Sequence, residues 1–160
     1  MALSFPANVE WPDIVQRLSV WGGLGNPARE SEAQAIINSY TVAEAKAWLK
    51  RQVADRARNT QDAFLAAQNY SAGEASTWSI KRAEAQQASP TAGNCPLLQA
   101  EAVASGRTLG AIVARVNANA AAFAAFSAQC AGNRAKHQDA IDALSTFAQV
   151  AAYDYSTGWP

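Results

Sequence analysis

The sequence predicts an all-α protein: an elongated helical bundle or hairpin with one long C-terminal helix and extended aromatic arms at both ends. Three observations carry this. After Gly106-Arg107-Thr108 the chain is alanine-rich and meets no proline until Pro160. Within that stretch Val116, Ala120, Phe123, Ser127, Cys130, His137, Ile141, Leu144, Ala148 and Ala151 fall at spacings of three and four, which marks one face of a helix. Alanine fills 38 of the 160 positions. It is the best helix former but buries little area per residue, so such a chain gains by packing helices closely, often with other subunits.

Residues 1–40 read as an N-terminal arm with short helices. Pro6, Pro12 and Pro27 fall among Gly22, Gly23 and Gly25 and exclude a long regular element. Phe5, Val9, Trp11, Ile14, Val15, Leu18, Val20 and Trp21 make the segment too apolar for a disordered tail. Pro12 suits the first turn of a helix over about 13–20, and a second short helix is expected over 29–38. The arm either folds back onto its own helices or docks on a neighbouring protein.

A helical bundle is expected over 41–152. Thr41-x-x-Glu44 has the form of a capping box, in which hydroxyl and carboxylate each satisfy a free backbone N–H. The helix it opens is expected to reach about Asn69, with Ala45, Trp48, Leu49, Gln52, Val53, Arg56, Ala57, Thr60, Phe64 and Ala67 on its inner stripe. Its charged residues, Lys46, Lys50, Asp55 and Asp62 among them, read as a solvated face. Ser71-x-x-Glu74 offers a second capping box before a helix over about 74–88. Pro96 fits a first helical position, Gly106 a left-handed stop, and Thr108 the cap of the long helix. Continuing unbroken through Gly132-Asn133 to about Ala152, that helix would reach roughly 65 Å at 1.5 Å per residue. Tyr153-Asp154-Tyr155-Ser156-Thr157-Gly158-Trp159-Pro160 forms a C-terminal aromatic tail, residues 153–160.

The chemistry is sparse. Thirteen basic and thirteen acidic residues balance, with no block of like charge, so no nucleic-acid footprint is present. His137 is the one histidine. Asp139 and Asp142 lie two and five residues away, off the three-or-four spacing that would let a helix bind a metal, so His137 reads as structural. Gly22-Gly23-Leu24-Gly25 lacks the lysine and hydroxyl of a phosphate loop. Cys95 and Cys130 could pair, but two thiols make no disulfide framework. Cys130 lies on the apolar face, and Cys95, in a turn before Pro96, could be exposed. No apolar run approaches the length of a membrane span, and the first residues lack a signal peptide's basic start and apolar core. The residues therefore suggest no enzyme, no catalytic, cofactor or metal site, and no nucleic-acid or membrane partner. The candidate protein-interaction residues are Phe5, Trp11, Trp21, Tyr153, Tyr155 and Trp159, because aromatics dominate interface energetics.

A resemblance gives these features a setting. Ser76-Thr77-Trp78, Lys81, Glu84-Ala85, Pro96-Leu97-Leu98 and Ala104-Ser105-Gly106 follow in the order seen in a helical domain of tailed-bacteriophage tail-fibre and tail-fibre-assembly proteins. Leu109, Val113, Ala122-Phe123, Gly132-Asn133-Arg134 and Asp139-Ala140-Ile141 continue it. The stretch, 76–144, resembles that domain in order and approximate spacing and covers under half of the chain. The resemblance implies a non-enzymatic structural protein of a phage tail, baseplate or tail fibre, an adaptor or attachment subunit. The alternative is a tail-fibre assembly chaperone that is not retained in the virion. Implied partners are other tail or fibre proteins and copies of the chain itself, a trimer being one arrangement. The implied location is the virion, after synthesis in the host cytoplasm. The face through Val116, Phe123, Cys130, Ile141 and Leu144 would serve a trimeric coiled coil or an intramolecular bundle equally well.

Overall fold

The computed structural model describes residues 3–22, 25–68 and 72–160, with the backbone alone for 72–75. All regular structure among them is helical. Seven α-helices follow in order: α1 (Pro12–Trp21), α2 (Glu30–Asn38), α3 (Val42–Ala67), α4 (Ala72–Ala85), α5 (Pro96–Ser105), α6 (Leu109–Asp142) and α7 (Phe147–Ala152). Short 3-10 turns at Pro6–Asn8 and Pro27–Arg29 precede α1 and α2.

The chain divides into two compact units, and the division runs across the boundaries expected near residues 40 and 152. The first unit takes residues up to Ala57 together with 132–159, and the second is formed by 58–131. Packing therefore joins both ends of the sequence in one unit and leaves the middle in the other.

The helix boundaries follow local chemistry. Pro12 sits at the first position of α1, and the left-handed Gly22 accepts its end. Thr41 and Glu44 form the expected reciprocal cap. The Thr41 N–H donates to Glu44 Oε2 at 2.8 Å, and the Glu44 N–H donates to Thr41 Oγ1 at 3.2 Å. Pro96 opens α5, and Gly106, with φ +65°, ends it. That φ is costly for any residue with a Cβ. The Ala111 N–H then donates to Thr108 Oγ1 at 3.2 Å, the cap expected for α6. The Ser71 cap position and the Gly23-Leu24 centre of the glycine cluster lie outside the described residues, as does Asn69, the expected end of α3.

Two expectations are corrected. The long helix passes through Gly132 without a break, as expected, but it stops at Asp142 rather than Ala152. Lys46 Nζ takes the Asp142 carbonyl at 2.9 Å. Thr146 and Gln149 then form a complete capping box that starts α7 afresh. Two cap donors and one carbonyl partner outweigh the helix propensity of the intervening residues. The second correction concerns Cys95, whose position in a turn suggested exposure. It is fully buried, and its thiol donates to the Glu84 carbonyl at 3.3 Å. Both cysteines are free.

The first unit has an aromatic and aliphatic core. Trp11, Ile14 and Leu18 of the α1 region meet Ala33 and Ile37 of α2, Ala45, Leu49 and Val53 of α3, Ile141 of α6 and Val150 of α7. The residues of α3 fall at four-residue intervals, the stripe read from the sequence. The second unit has a smaller core of Ala85, Cys95, Leu98, Ala102 and Ile112, flanked by Leu109, Val113 and Val116. A separate aromatic group in the same unit stacks Phe64 on Phe126 at 4.2 Å and sets Phe123 between Phe64 and Trp78.

Candidate interaction surfaces

The six aromatics singled out from the sequence all lie in the first unit, folded onto its core. Trp11 is 1% exposed and has no surface to offer a partner. Its indole N–H donates to the Pro6 carbonyl at 3.0 Å, and its ring meets Tyr40, Trp48 and Phe147 at centroid distances near 6 Å. Phe5, Trp21, Tyr153, Tyr155 and Trp159 are partly buried against the same core. Trp21 carries the Arg29 guanidinium 5.0 Å over its ring, a cation–π contact. Both sequence ends thus take the fold-back arrangement.

Residues 153–159 close around His137. The Thr157 carbonyl lies 3.1 Å from Nε2 and can only accept, so Nε2 carries a proton and donates it. Nδ1 is hydrogen-bonded to the Tyr153 hydroxyl at 2.7 Å. Burial raises the pKa of that hydroxyl and keeps it protonated. Trp159 stacks on the imidazole at 5.4 Å, and its own N–H donates to the Tyr155 carbonyl at 2.8 Å. His137 is thus held by Tyr153, Thr157 and Trp159. Among the described residues, no group of three histidine, cysteine, aspartate or glutamate side chains is placed to hold a metal ion.

Beside this core lies a charged shell that sequence reasoning missed. Arg17 donates to Glu44 at 2.7 Å, and Arg51 pairs with Asp13. Tyr40 is 4% exposed, and its hydroxyl has no hydrogen-bond partner. Desolvation, with Asp13 and Glu44 nearby, pushes its pKa up to about 12. A buried hydroxyl without a partner costs about 1–3 kcal/mol. Tyr40→Phe should therefore keep or raise stability, by about 1 kcal/mol, in urea denaturation; a clear loss would mean that the hydroxyl is bonded.

The carboxylates of this unit also set its acid response. Donation from Arg17 and Thr41 holds Glu44 below its ordinary pKa, and Lys50 does the same for Asp142 at 2.6 Å. Lys46 and Lys50, read from the sequence as solvated, are the partners of Asp142. A carboxyl whose pKa is depressed by folding stabilises above its unfolded value, and that stability is lost as pH falls through the folded one. The melting temperature should be flat above pH ~5 and fall below about 4. In Glu44→Gln that fall should be shallower.

In the second unit two carboxylates tie helices together. Glu84, 8% exposed at the end of α4, accepts the Leu97 N–H at 3.1 Å and the Leu98 N–H at 2.9 Å in the first turn of α5. Glu101 of α5 pairs with Lys81 of α4 at 2.8 Å and with Arg115 of α6. Glu84 lies 13 and 14 positions from the two N–H donors it serves, so no short motif announces the contact.

The inner face of α6 is occupied within the chain. Val116 and Phe123 pack in the second unit, Cys130 is fully buried, and Ile141 and Leu144 belong to the first-unit core. The opposite face is different. Ala114, Ala118, Ala121, Ala125 and Ala128 recur at spacings of four and three, all exposed, and Gly132 and Ala135 continue the register along the helix. No charged residue occurs between Arg115 and Arg134. By length and composition alone α6 is long and apolar enough to cross a membrane, with a mean hydropathy of 1.4 over 18 residues of which 6% are buried. Asn117, Asn119, Ser127 and Gln129 break every apolar run, which hides the alanine-driven average from a search for unbroken stretches.

These features define an all-α protein with an exposed alanine and glycine face along α6. No protein-family model matches the chain, and no match is found among curated proteins or solved structures.

Proposed function

We propose that this chain is a non-enzymatic structural protein of a phage tail, baseplate or tail fibre, an adaptor or attachment subunit that works by helix–helix contact with copies of itself and with neighbouring tail proteins. The observation that carries the reading is the outer face of α6. A solvated helix normally carries charged residues there, whereas interface cores are depleted in charge. Alanine and glycine at alternating four- and three-residue spacing present a smooth seam to a second helix and allow close interaxial approach. The resemblance of residues 76–144 to a helical domain of tail-fibre and tail-fibre-assembly proteins supplies the biological setting.

Two measurements test it. Ala121→Glu combined with Ala125→Glu leaves exposed positions exposed in the single chain but buries unpaired carboxylates in any seam. Association of copies, read by sedimentation, should weaken roughly a hundredfold or more. An unchanged assembly would remove α6 from the reading, and recovery of the chain in a detergent-extracted membrane fraction would replace it with a membrane span. Mass spectrometry of purified particles, with copy number, tests the setting. Stoichiometric presence is expected, whereas absence from particles with abundance in infected lysate would make the chain an assembly chaperone.

A further inference from the structure

We propose that residues 146–159 are a detachable docking segment that two copies of this chain exchange. Each copy's segment fills the other's seat, and α6 runs on without a break to Ala152. The proposal rests on the reading that the chain works among copies of itself, and it adds which residues one copy contributes to the other.

The segment is self-contained. It opens on its own capping box, Thr146 with Gln149. Gln149 Oε1 also accepts from the Ser145 N–H at 2.8 Å. Its second half is folded by its own bonds, Ser156 N–H to Asp154 Oδ1 at 2.8 Å and Trp159 Nε1 to the Tyr155 carbonyl at 2.8 Å. Its hold on the rest of the unit is through side chains. Phe147 stacks on Tyr40 and leans on Trp11, Val150 is 1% exposed in the core, and Tyr153 and Trp159 clasp His137. Phe147, Val150 and Tyr153 follow at three-residue intervals, the anchor pattern of a helical peptide in a groove. Among the described residues, no backbone-to-backbone hydrogen bond joins the segment to the rest of the chain.

The bend that delivers the segment is close to being helix. No glycine or proline occurs from Asn133 to Thr157. The Ala143 N–H still bonds back to the Asp139 and Ala140 carbonyls, and the Leu144 N–H to Ile141. Four residues, Ala143 to Thr146, separate the helices, and the caps of Ser145 and Thr146 favour the bend. Straightening exchanges these caps for continued helix and lifts the segment from its own seat. Trp11, Tyr40 and His137 are then uncovered, and the matching segment of a second copy restores every contact they lose. Exchange of an identical element is a low-cost route to a symmetric dimer.

The test uses the full chain. Ser145→Ala with Thr146→Ala removes the caps that hold the bend and strengthens the helix. Its dimer association constant, from light scattering across concentration, should rise about tenfold or more. Insertion of Gly-Gly-Ser after Leu144 should shift the equilibrium the other way. To locate the segment, an isotopically heavy chain carrying benzoylphenylalanine at Tyr155 is refolded with unlabelled chain and illuminated. Cross-links should join the heavy segment to first-unit residues of the light copy. The proposal is overturned if the cap variant associates no better than its parent, or if its dimers hold cross-links within single copies alone. A dimer abolished by Ala121→Glu with Ala125→Glu but cross-linked only internally would retain the α6 reading and remove this one.

Discussion

Trp11→Ala should destabilise the protein by about 3–5 kcal/mol, a large share of the 5–15 kcal/mol typical of a domain. The residue is the largest fully buried side chain and sits where four parts of the first unit meet. Its ring touches Tyr40 after α2, Trp48 of α3 and Phe147 of α7, and its N–H reaches back to Pro6. Local chemistry sets its direction. A residue before proline avoids the helical region, and Trp11, at ψ 123°, is extended just where Pro12 begins α1. Alanine there leaves a cavity bordered by rings that cannot collapse onto one another. Trp11→Phe keeps the ring contacts and loses the bond to Pro6, so it should cost about 1 kcal/mol plus part of the lost area. Denaturant titration of the three proteins checks the order, and a Trp11→Ala loss below about 1 kcal/mol would show that the aromatic cluster is not cooperative.

Glu84→Ala should cost about 2–4 kcal/mol in the same measurement. Removing the carboxylate leaves two backbone N–H groups in the first turn of α5 without an acceptor, one of them on fully buried Leu98. It also takes a negative charge from the positive end of the α5 dipole. Glu84→Gln retains one acceptor oxygen but turns an amide N–H₂ toward the second backbone donor, so an intermediate loss is expected. If Gln and Ala were equally damaging, charge rather than acceptor geometry would be the larger contribution.

These two residues also mark what was legible in the sequence. Local signals were readable because a few neighbours settle them. Thr41-x-x-Glu44, Pro12, Pro96, Gly106 and Thr108 each set a boundary within one helical turn, and the i, i+4 spacing of Ala45, Leu49, Val53 and Ala57 set the buried side of α3. The end of α6 was readable too, since Thr146-x-x-Gln149 has the same form as Thr41-x-x-Glu44. The alanine-rich surroundings masked it, because their propensity favours continuation. Contacts across loops were not readable. Glu84 meets α5 beyond a ten-residue connection, Lys50 meets Asp142 across most of the chain, and the seat of Trp11 is assembled from four distant elements. The candidate interaction residues Phe5, Trp11, Trp21, Tyr153, Tyr155 and Trp159 pack on the core of the first unit. Whether an aromatic anchors its own chain or another depends on shape, which periodicity does not encode.

The interleaving of the two units dictates a timetable for synthesis. Residues 58–131 are contiguous, so their core of Ala85, Cys95, Leu98, Ala102 and Ile112 can close as soon as they emerge. Residues 3–57 are made earlier yet wait for Ile141, Phe147 and Val150, about 100 residues later, or roughly 5–20 s at ordinary elongation rates. During that interval Trp11, Tyr40 and Trp48 stand uncovered on a nascent chain. Residues 3–57 are thus translated before the second unit but complete their core after it, and their aromatics are what a ribosome-associated holding factor would meet.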